Sequence, residues 1–320
     1  MKQILITGAS GFIGSFLVEA ALAKAWQTWA GIRSSSNKEY LQDEHIRFID
    51  LNYADKEKLK DQITQHVSQY GCWDYIIHNA GITKCVKPED FDRVNYLYSK
   101  HLIEALQESG AIPEKFVLMS SLGAHHSGVH TRYGDSKRKA EDFLKSQSGF
   151  PYIILCPTGV YGPRDQDYLL VLKMLQSGWN ITAGFKPQVL SFIYVKDLVK
   201  ATMLALESPV TDQLYFASDG NEYSDAEYTA IAKAALGKKR TVQLKIPLCM
   251  LQTVSVLSEK IAERRNKPSV LNRDKYEIMK QRDWTCNILP IASDLGFVAD
   301  YSLKQGLEES VNWYRTKGWL

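Results

Sequence analysis

Met1-Lys2-Gln3-Ile4-Leu5-Ile6-Thr7-Gly8-Ala9-Ser10-Gly11-Phe12-Ile13-Gly14 heads this chain, and its reading decides the fold. The apolar run Ile4-Leu5-Ile6 predicts a strand buried on both faces. A glycine-rich turn follows. Then Phe12, Ile13, Phe16, Leu17 and Leu22 recur at helical spacing. Strand, tight turn and helix in this order make the phosphate-binding start of a dinucleotide fold. Gly8 lets the backbone turn sharply off the strand. Gly11 removes a Cβ where a pyrophosphate must approach, and Gly14 lets the helix pack closely. The free amides and positive dipole at the helix start then bind phosphate. On this reading Gly8, Ser10, Gly11, Phe12, Ile13 and Gly14 contact the cofactor.

The spacing is Gly-x-x-Gly-x-x-Gly, set in Thr7-Gly8-Ala9-Ser10-Gly11-Phe12-Ile13-Gly14. It resembles the short-chain dehydrogenase/reductase superfamily, especially its extended branch of epimerases, dehydratases and ketone reductases, the NAD-dependent epimerase/dehydratase family. The resemblance implies an α/β chain: a Rossmann-type doubly wound parallel sheet with a small C-terminal substrate lobe. Residues 1–162 and 188–218 would form the dinucleotide domain. Residues 163–187 and 219–320 would form the lobe and a closing helix.

The bulk numbers agree with a soluble enzyme of this size. The 320 residues are 45% hydrophobic and 23% charged. A net charge of +3 without a basic run argues against a nucleic-acid partner. No apolar run reaches the ~18 residues a membrane span needs. The five cysteines have neither C-x-x-C nor zinc spacing, so reduced thiols in a cytoplasmic protein are expected, with no signal peptide.

The first helix is expected over about Ser15 to Ala25 and the second strand over Thr28 to Ile32, ending at Arg33-Ser34-Ser35-Ser36. In dinucleotide folds an acid about 20 residues past the glycines binds the ribose 2′-hydroxyl of NAD, whereas an Arg accommodates the 2′-phosphate of NADP. Arg33 stands there, followed by Ser34, which predicts a preference for NADP over NAD. A third strand, Ile46 to Leu51, ends in Asp50. The resemblance gives Asp50 and Leu51 to the adenine; the alternative is Asp50 as cap of a helix beginning near Ala54. Strand Tyr75 to His78 leads into Asn79-Ala80-Gly81, similar to the superfamily's second marker, so all three are placed at the cofactor. His78 reads as structural, and Thr83 would face the nicotinamide end or the substrate. In the long helix from about Asp90 to Ser109, Asn95 is a helix-distorting group or a buried polar brace. In relatives this helix and the one carrying Tyr133 form a dimer interface, so a homodimer is implied.

Lys115 to Ser121 predicts a fifth strand ending in two serines. Twelve residues on is Tyr133, and four after that Lys137, so both lie on one helical face. A phenol titrates near ~10, and bringing it near neutrality takes ~4 kcal/mol of preferential phenolate stabilisation. A lysine cation in a dry site supplies much of this. The resemblance makes Ser121, Tyr133 and Lys137 the catalytic set: Ser121 holds a carbonyl oxygen, Tyr133 exchanges a proton with it, and Lys137 also binds the nicotinamide ribose. His125 and His126 follow in a loop; a third metal ligand is not evident, so no metal is expected, and His126 is a substrate candidate.

Cys156-Pro157-Thr158-Gly159-Val160-Tyr161-Gly162-Pro163-Arg164 resembles the branch's Arg-Pro-x-x-Val-Tyr-Gly-Pro, which places Pro157, Thr158, Gly159 and Val160 beside the nicotinamide. Gly159 stands where many nucleotide-sugar enzymes have an Asn. This moves the motif toward reductases of the 3β-hydroxysteroid or dihydroflavonol type. Tyr168 and Tyr194 are candidate pocket aromatics, and Asp197 a helix cap. The apolar helix expected from Ile246 to Leu257 would form lobe core or a subunit contact, cover an apolar substrate, or touch a membrane surface. The expectation is an NAD(P)-dependent oxidoreductase acting on a ketone or secondary alcohol of a small molecule. A nucleotide-sugar 4-epimerase with tightly held NAD, or a non-catalytic cofactor sensor, are the alternatives.

Overall fold

The structure is a computed structural model that describes residues 1–126, 128–265, 269 and 271–320. The first half alternates strand and helix: β1 (Gln3–Thr7), α1 (Phe12–Ala23), β2 (Gln27–Gly31), β3 (Arg47–Ile49), α2 (Lys56–Tyr70) and β4 (Tyr75–His78). A short α3 (Glu89–Phe91) continues through a π-helical turn (Asp92–Leu97) into α4 (Tyr98–Glu108), so the single expected helix is split by a widened turn. Then come β5 (Lys115–Met119), α5 (Arg132–Lys145), β6 (Tyr152–Pro157), β7 (Gly159–Tyr161), α6 (Asp167–Gln176), β8 (Trp179–Ala183), β9 (Val189–Leu190), β10 (Phe192–Tyr194), α7 (Val195–Glu207) and β11 (Gln213–Ala217). The remainder is β12 (Tyr223–Ser224), α8 (Asp225–Leu236), β13 (Val242–Ile246), α9 (Leu248–Arg264), α10 (Arg273–Lys280), β14 (Asp283–Trp284), α11 (Leu289–Leu295) and α12 (Leu303–Thr316).

Seven strands form one parallel sheet in the order β11-β6-β5-β4-β1-β2-β3. Its central strands are apolar throughout because successive residues enter opposite cores. Ile4, Ile6, Ile77, Val117 and Ile153 join one core with residues of α1, α7 and α12. Leu5, Ile76, Phe116, Leu118 and Ile154 join the other with residues of α2, α4 and α5. The chain reverses direction across the sheet between β1 and β4. In such sheets the crevice beyond the strand ends at this switch point receives the ligand.

Helix α1 starts earlier than the expected Ser15, because Gly11 is its N-cap and the glycine turn runs directly into it. It also stops earlier, where Ala25 adopts a left-handed backbone (φ +53°). Asp50 is not the cap of α2. Asp55 is, accepting from the Lys58 amide at 3.2 Å. Asp197 lies inside α7 and does not cap it; its carboxylate accepts from the amides of Asp300 (2.8 Å) and Tyr301 (3.1 Å), tying the segment before α12 to α7. The apolar helix begins at Leu248 because Ile246 belongs to β13 and Pro247 intervenes. Among the described residues no helix is long and apolar enough to cross a membrane.

Candidate active site

The turn after β1 is built by contact that only glycine permits. Gly8 has φ +65°, and a Cβ there would stand 2.9 Å from the Ala80 Cα. A Cβ on Gly14 would stand 2.1 Å from the Gly8 carbonyl oxygen. No side chain caps α1 and no acid lies in its first turn. Its leading amides, from Phe12 and Ile13, therefore remain for an external anion, with Ser10 and Gly11 at the open edge. This cradle fits a dinucleotide pyrophosphate. At the far end, Arg33 is exposed and its guanidinium has no partner among the described residues. The Asp50 carboxylate accepts from the Ser34 amide at 2.7 Å, which ties the ends of β2 and β3 together, while Leu51 is buried. Of the Ser34 donors, only the hydroxyl is left for a phosphate.

Behind the loop after β4 runs a hydrogen-bond chain with one sense. The Ala80 amide donates to the Thr7 hydroxyl at 3.0 Å, and the Thr7 hydroxyl lies 2.9 Å from His78 Nδ1. His78 Nε2 lies 2.9 Å from the Ser99 hydroxyl, which donates to the Asn95 carbonyl at 2.8 Å. Each hydroxyl has one proton to give, so Nδ1 accepts and Nε2 donates. His78 is thus a neutral imidazole, and burial, with the Lys137 charge second, pushes it down to about 3. Its role is structural, holding the loop on which Asn79, Ala80 and Gly81 stand. Asn95, inside the π turn, is the buried brace: its side-chain oxygen accepts from the Ile82 amide (2.8 Å), and its nitrogen donates to the Ile82 carbonyl (3.1 Å) and the Ser136 hydroxyl (3.0 Å).

Ser121, Tyr133 and Lys137 converge beside this loop. Thr131 caps α5 through the Gly134 amide (3.0 Å) and so sets the start of the helix that carries Tyr133 and Lys137. Lys137 Nζ donates to the Met119 carbonyl at 2.8 Å, at the end of β5. Gly81 leaves it room: a Cβ there would stand 3.1 Å from Nζ. Burial pushes Lys137 down to about 8, against a weaker upward pull from Glu141. Burial raises the Tyr133 phenol, and the Ser121 hydroxyl beside it pulls the other way. The Ser121 oxygen accepts from the Gly123 amide at 3.1 Å, and Gly123 touches both residues, its missing Cβ lying 3.5 Å from Ser121 Oγ and 3.9 Å from Tyr133 Cε1. The hydroxyl and the phenol are thus neighbours, both half-buried, with the buried Lys137 one helical turn on from Tyr133.

The sequence reading missed Glu141, four residues past Lys137 on the same helical face; the repeated spacing of four from Tyr133 was its signal. It is fully buried. It accepts from the Ser120 hydroxyl and from His125 Nε2 (2.7 Å), with Lys145 Nζ at 3.7 Å. Arg138 donates to His125 Nδ1 at 3.0 Å, so the imidazole gives its Nε2 proton to Glu141. Burial raises the Glu141 carboxyl, yet the hydrogen bonds from His125 and Ser120 outweigh it and hold it below its ordinary value. The expectation that His125 lacks neighbouring ligands needs correction. Glu141 and Cys156 come to it in space, the three ligand-type atoms lying within 4.8 Å of one another.

Pro157 and Thr158 are buried at the end of β6, and Gly159 and Val160 half-buried beyond it. A Cβ on Gly159 would stand only 2.0 Å from the Tyr168 hydroxyl oxygen, so Tyr168 fills the place a side chain at 159 would take. Tyr168 of α6 therefore packs against the start of β7. Tyr194 does not join it. That side chain is fully buried against Tyr161 (5.5 Å) and Tyr301 (4.5 Å), so the structure makes it packing rather than pocket lining. His126 Nε2 lies 2.6 Å from the Asp283 carbonyl, which anchors its loop to β14. Thr83 is exposed, next to Lys84, whose ammonium pairs with Asp167 at the start of α6.

Known proteins similar to this chain give its family. A family model described as the NAD dependent epimerase/dehydratase family matches residues 4–215. The chain is 26% identical, over 99% of its length and 96% of the relative's, to a ceramide reductase of Caulobacter vibrioides. It is 24% identical, over 98% of both chains, to a putative UDP-glucose 4-epimerase of Methanocaldococcus jannaschii. Its fold is similar to that of a UDP-glucose 4-epimerase of Thermus thermophilus in complex with NAD, with a TM-score of 0.73 and 20% identity over 98% of this chain and 99% of the other. The uncapped glycine turn, the sheet order and the matched 4–215 segment together make this chain an enzyme of the NAD-dependent epimerase/dehydratase family.

Proposed function

We propose that this chain is an oxidoreductase that interconverts a ketone and a secondary alcohol with NADP, using Ser121, Tyr133 and Lys137. When bound, the nicotinamide supplies or takes the hydride. The chain does the rest. Ser121 orients the substrate oxygen, Tyr133 gives it a proton or removes one, and the Lys137 charge stabilises the phenolate. The cofactor would lie on the α1 amides, with Arg33 and the Ser34 hydroxyl at its 2′-phosphate, Asp50 and Leu51 at the adenine, and Asn79 to Gly81 and Pro157 to Val160 along its nicotinamide half.

One observation carries the choice of a reductase over an epimerase: the Tyr168 hydroxyl occupies the space beside Gly159. A side chain from 159, which would hold a nucleotide-sugar phosphate, has no room there. Tyr168, with Thr83 and His126 from the facing loops, would instead meet a more apolar substrate. The similarity to a ceramide reductase supports the same class. Two copies would pair through α4 and α5, in the cytoplasm.

The test is NADPH oxidation against a panel of long-chain and cyclic ketones, with Tyr133→Phe as control. Turnover should fall about a hundred- to ten-thousandfold in the variant while NADPH binding is retained. NAD released in near-stoichiometric amount on denaturing the purified protein, with no ketone turnover, would favour the epimerase and sink the reductase.

A further inference from the structure

The lobe carries a surface that the proposed chemistry does not use. Helix α9 turns Leu251 and Ser255 inward, and both are buried. A second stripe on the same helix faces solvent: Met250, Val254, Leu257 and Ile261, 57%, 50%, 54% and 50% exposed. Their spacing of four, three and four keeps them in one line along the helix. Lys260, Arg264 and Arg265, all exposed, flank that line. The strand pair leading into α9 repeats the combination. Trp179 and Ile181 of β8 are paired in register with Val242 and Leu244 of β13, so all four share one face of the ribbon, and all are exposed. Lys238, Lys239 and Arg240 stand exposed just before β13, without ion-pair partners among the described residues.

The charge says what covers this face. Lys238, Lys239, Arg240, Lys260, Arg264 and Arg265 put six exposed cations on or beside it, although the whole chain is only +3. A second copy of so cationic a face would repel the first. A sheet of anionic headgroups over hydrocarbon complements both parts, and an apolar stripe edged by cations is how a helix lies in that interface. We propose that the lobe docks on an anionic lipid surface through the α9 stripe, with the β8–β13 ribbon and Lys238 to Arg240 beside it. The inner side of α9 faces the active site: Glu259 pairs with Arg132 at 4.0 Å, and Asp274 of α10 accepts from the Tyr133 amide at 3.4 Å. Docking would hold the mouth of the site near the bilayer. The inference is independent of which substrate is turned over.

Flotation of the purified full chain with vesicles tests it, comparing phosphatidylcholine alone with phosphatidylcholine mixed with phosphatidylglycerol. The chain should float with the anionic vesicles only, and about 0.5 M salt should release it. Changing Lys238, Lys239 and Arg240 together to Ser should weaken binding on the order of a hundredfold, at about fivefold per cation. Val254→Glu with Leu257→Glu should abolish it. These positions are all exposed, so melting temperature and cofactor binding should not move. Absence of flotation on anionic vesicles, or equal flotation of wild type and both variants, overturns the proposal. So does a dimer that V254E/L257E dissociates while no vesicle binding is seen, which would make the face an interface between copies.

Discussion

Lys137→Met should make the cofactor-free protein more stable while destroying its activity. The ammonium is buried, and burial lowers its pKa from the ordinary 10.5 to about 8. That difference corresponds to a penalty of about 3 kcal/mol for holding the charge in the folded state. Methionine removes the penalty, and it also removes the donor to the Met119 carbonyl, which costs about 1 kcal/mol. The net gain near neutral pH is about 2 kcal/mol. The sign follows from the direction of the shift. Below about 8 both folded and unfolded chains carry the proton, so the penalty is full. Between about 8 and 10.5 the unfolded chain binds more protons than the folded one, so wild-type stability climbs toward the variant's with rising pH. The assay is urea unfolding of both proteins at neutral pH and near pH 10, with the difference isolating this residue. A variant less stable at neutral pH, or a gap that does not change with pH, would refute the reasoning.

Gly159→Ala should cost about 1–3 kcal/mol, because its Cβ would collide with the Tyr168 oxygen, and Tyr168→Phe in the same chain should restore most of it; urea midpoints of the single and double variants decide. Glu141→Gln keeps the shape but removes a charge that raises Lys137, so the alkaline limb of the pH–rate profile should move to lower pH; an unmoved limb would mean that the Glu141 charge does not act on Lys137 or that Lys137 does not set that limb. Arg33→Ala should raise KM for NADPH about tenfold or more with little change for NADH, by loss of a charge-assisted contact; equal effects on both cofactors would remove the argument for NADP.

The fold was legible because its signals are local. Ile4 to Gly14 states strand, turn and helix within one short stretch, and the central strands are apolar on both faces. Tyr133 and Lys137 were legible for the same reason, since helical spacing alone puts them on one face. What escaped depends on contacts across long sequence distances. Glu141 looks like any helical acid until Ser120 and His125 arrive from the preceding loop. Tyr168 and Tyr194 are indistinguishable in sequence, yet one reaches Gly159 and the other is sealed beneath Tyr301. The apolar content of α9 was visible, but not its division into an inner face and a solvent-facing stripe, because that depends on where β8, β13 and α10 lie.

A π turn is what a helix makes of one residue too many. Between Asp92 and Leu97 the chain holds such a surplus, and Asn95 sits in it with its carboxamide turned onto Ile82 and Ser136. Deleting any one residue there would let the segment relax into an ordinary helix and swing everything before it by about 100°. Phe91 would leave the edge of Tyr133, from which its ring centre is now 6.1 Å, and the loop beside Lys137 would lose its clasp. If Ser121, Tyr133 and Lys137 react as proposed, a one-residue deletion at this point would disable them, although none of them lies in the segment. On the proposed reading, the length of this turn matters to the site as much as the identity of Tyr133.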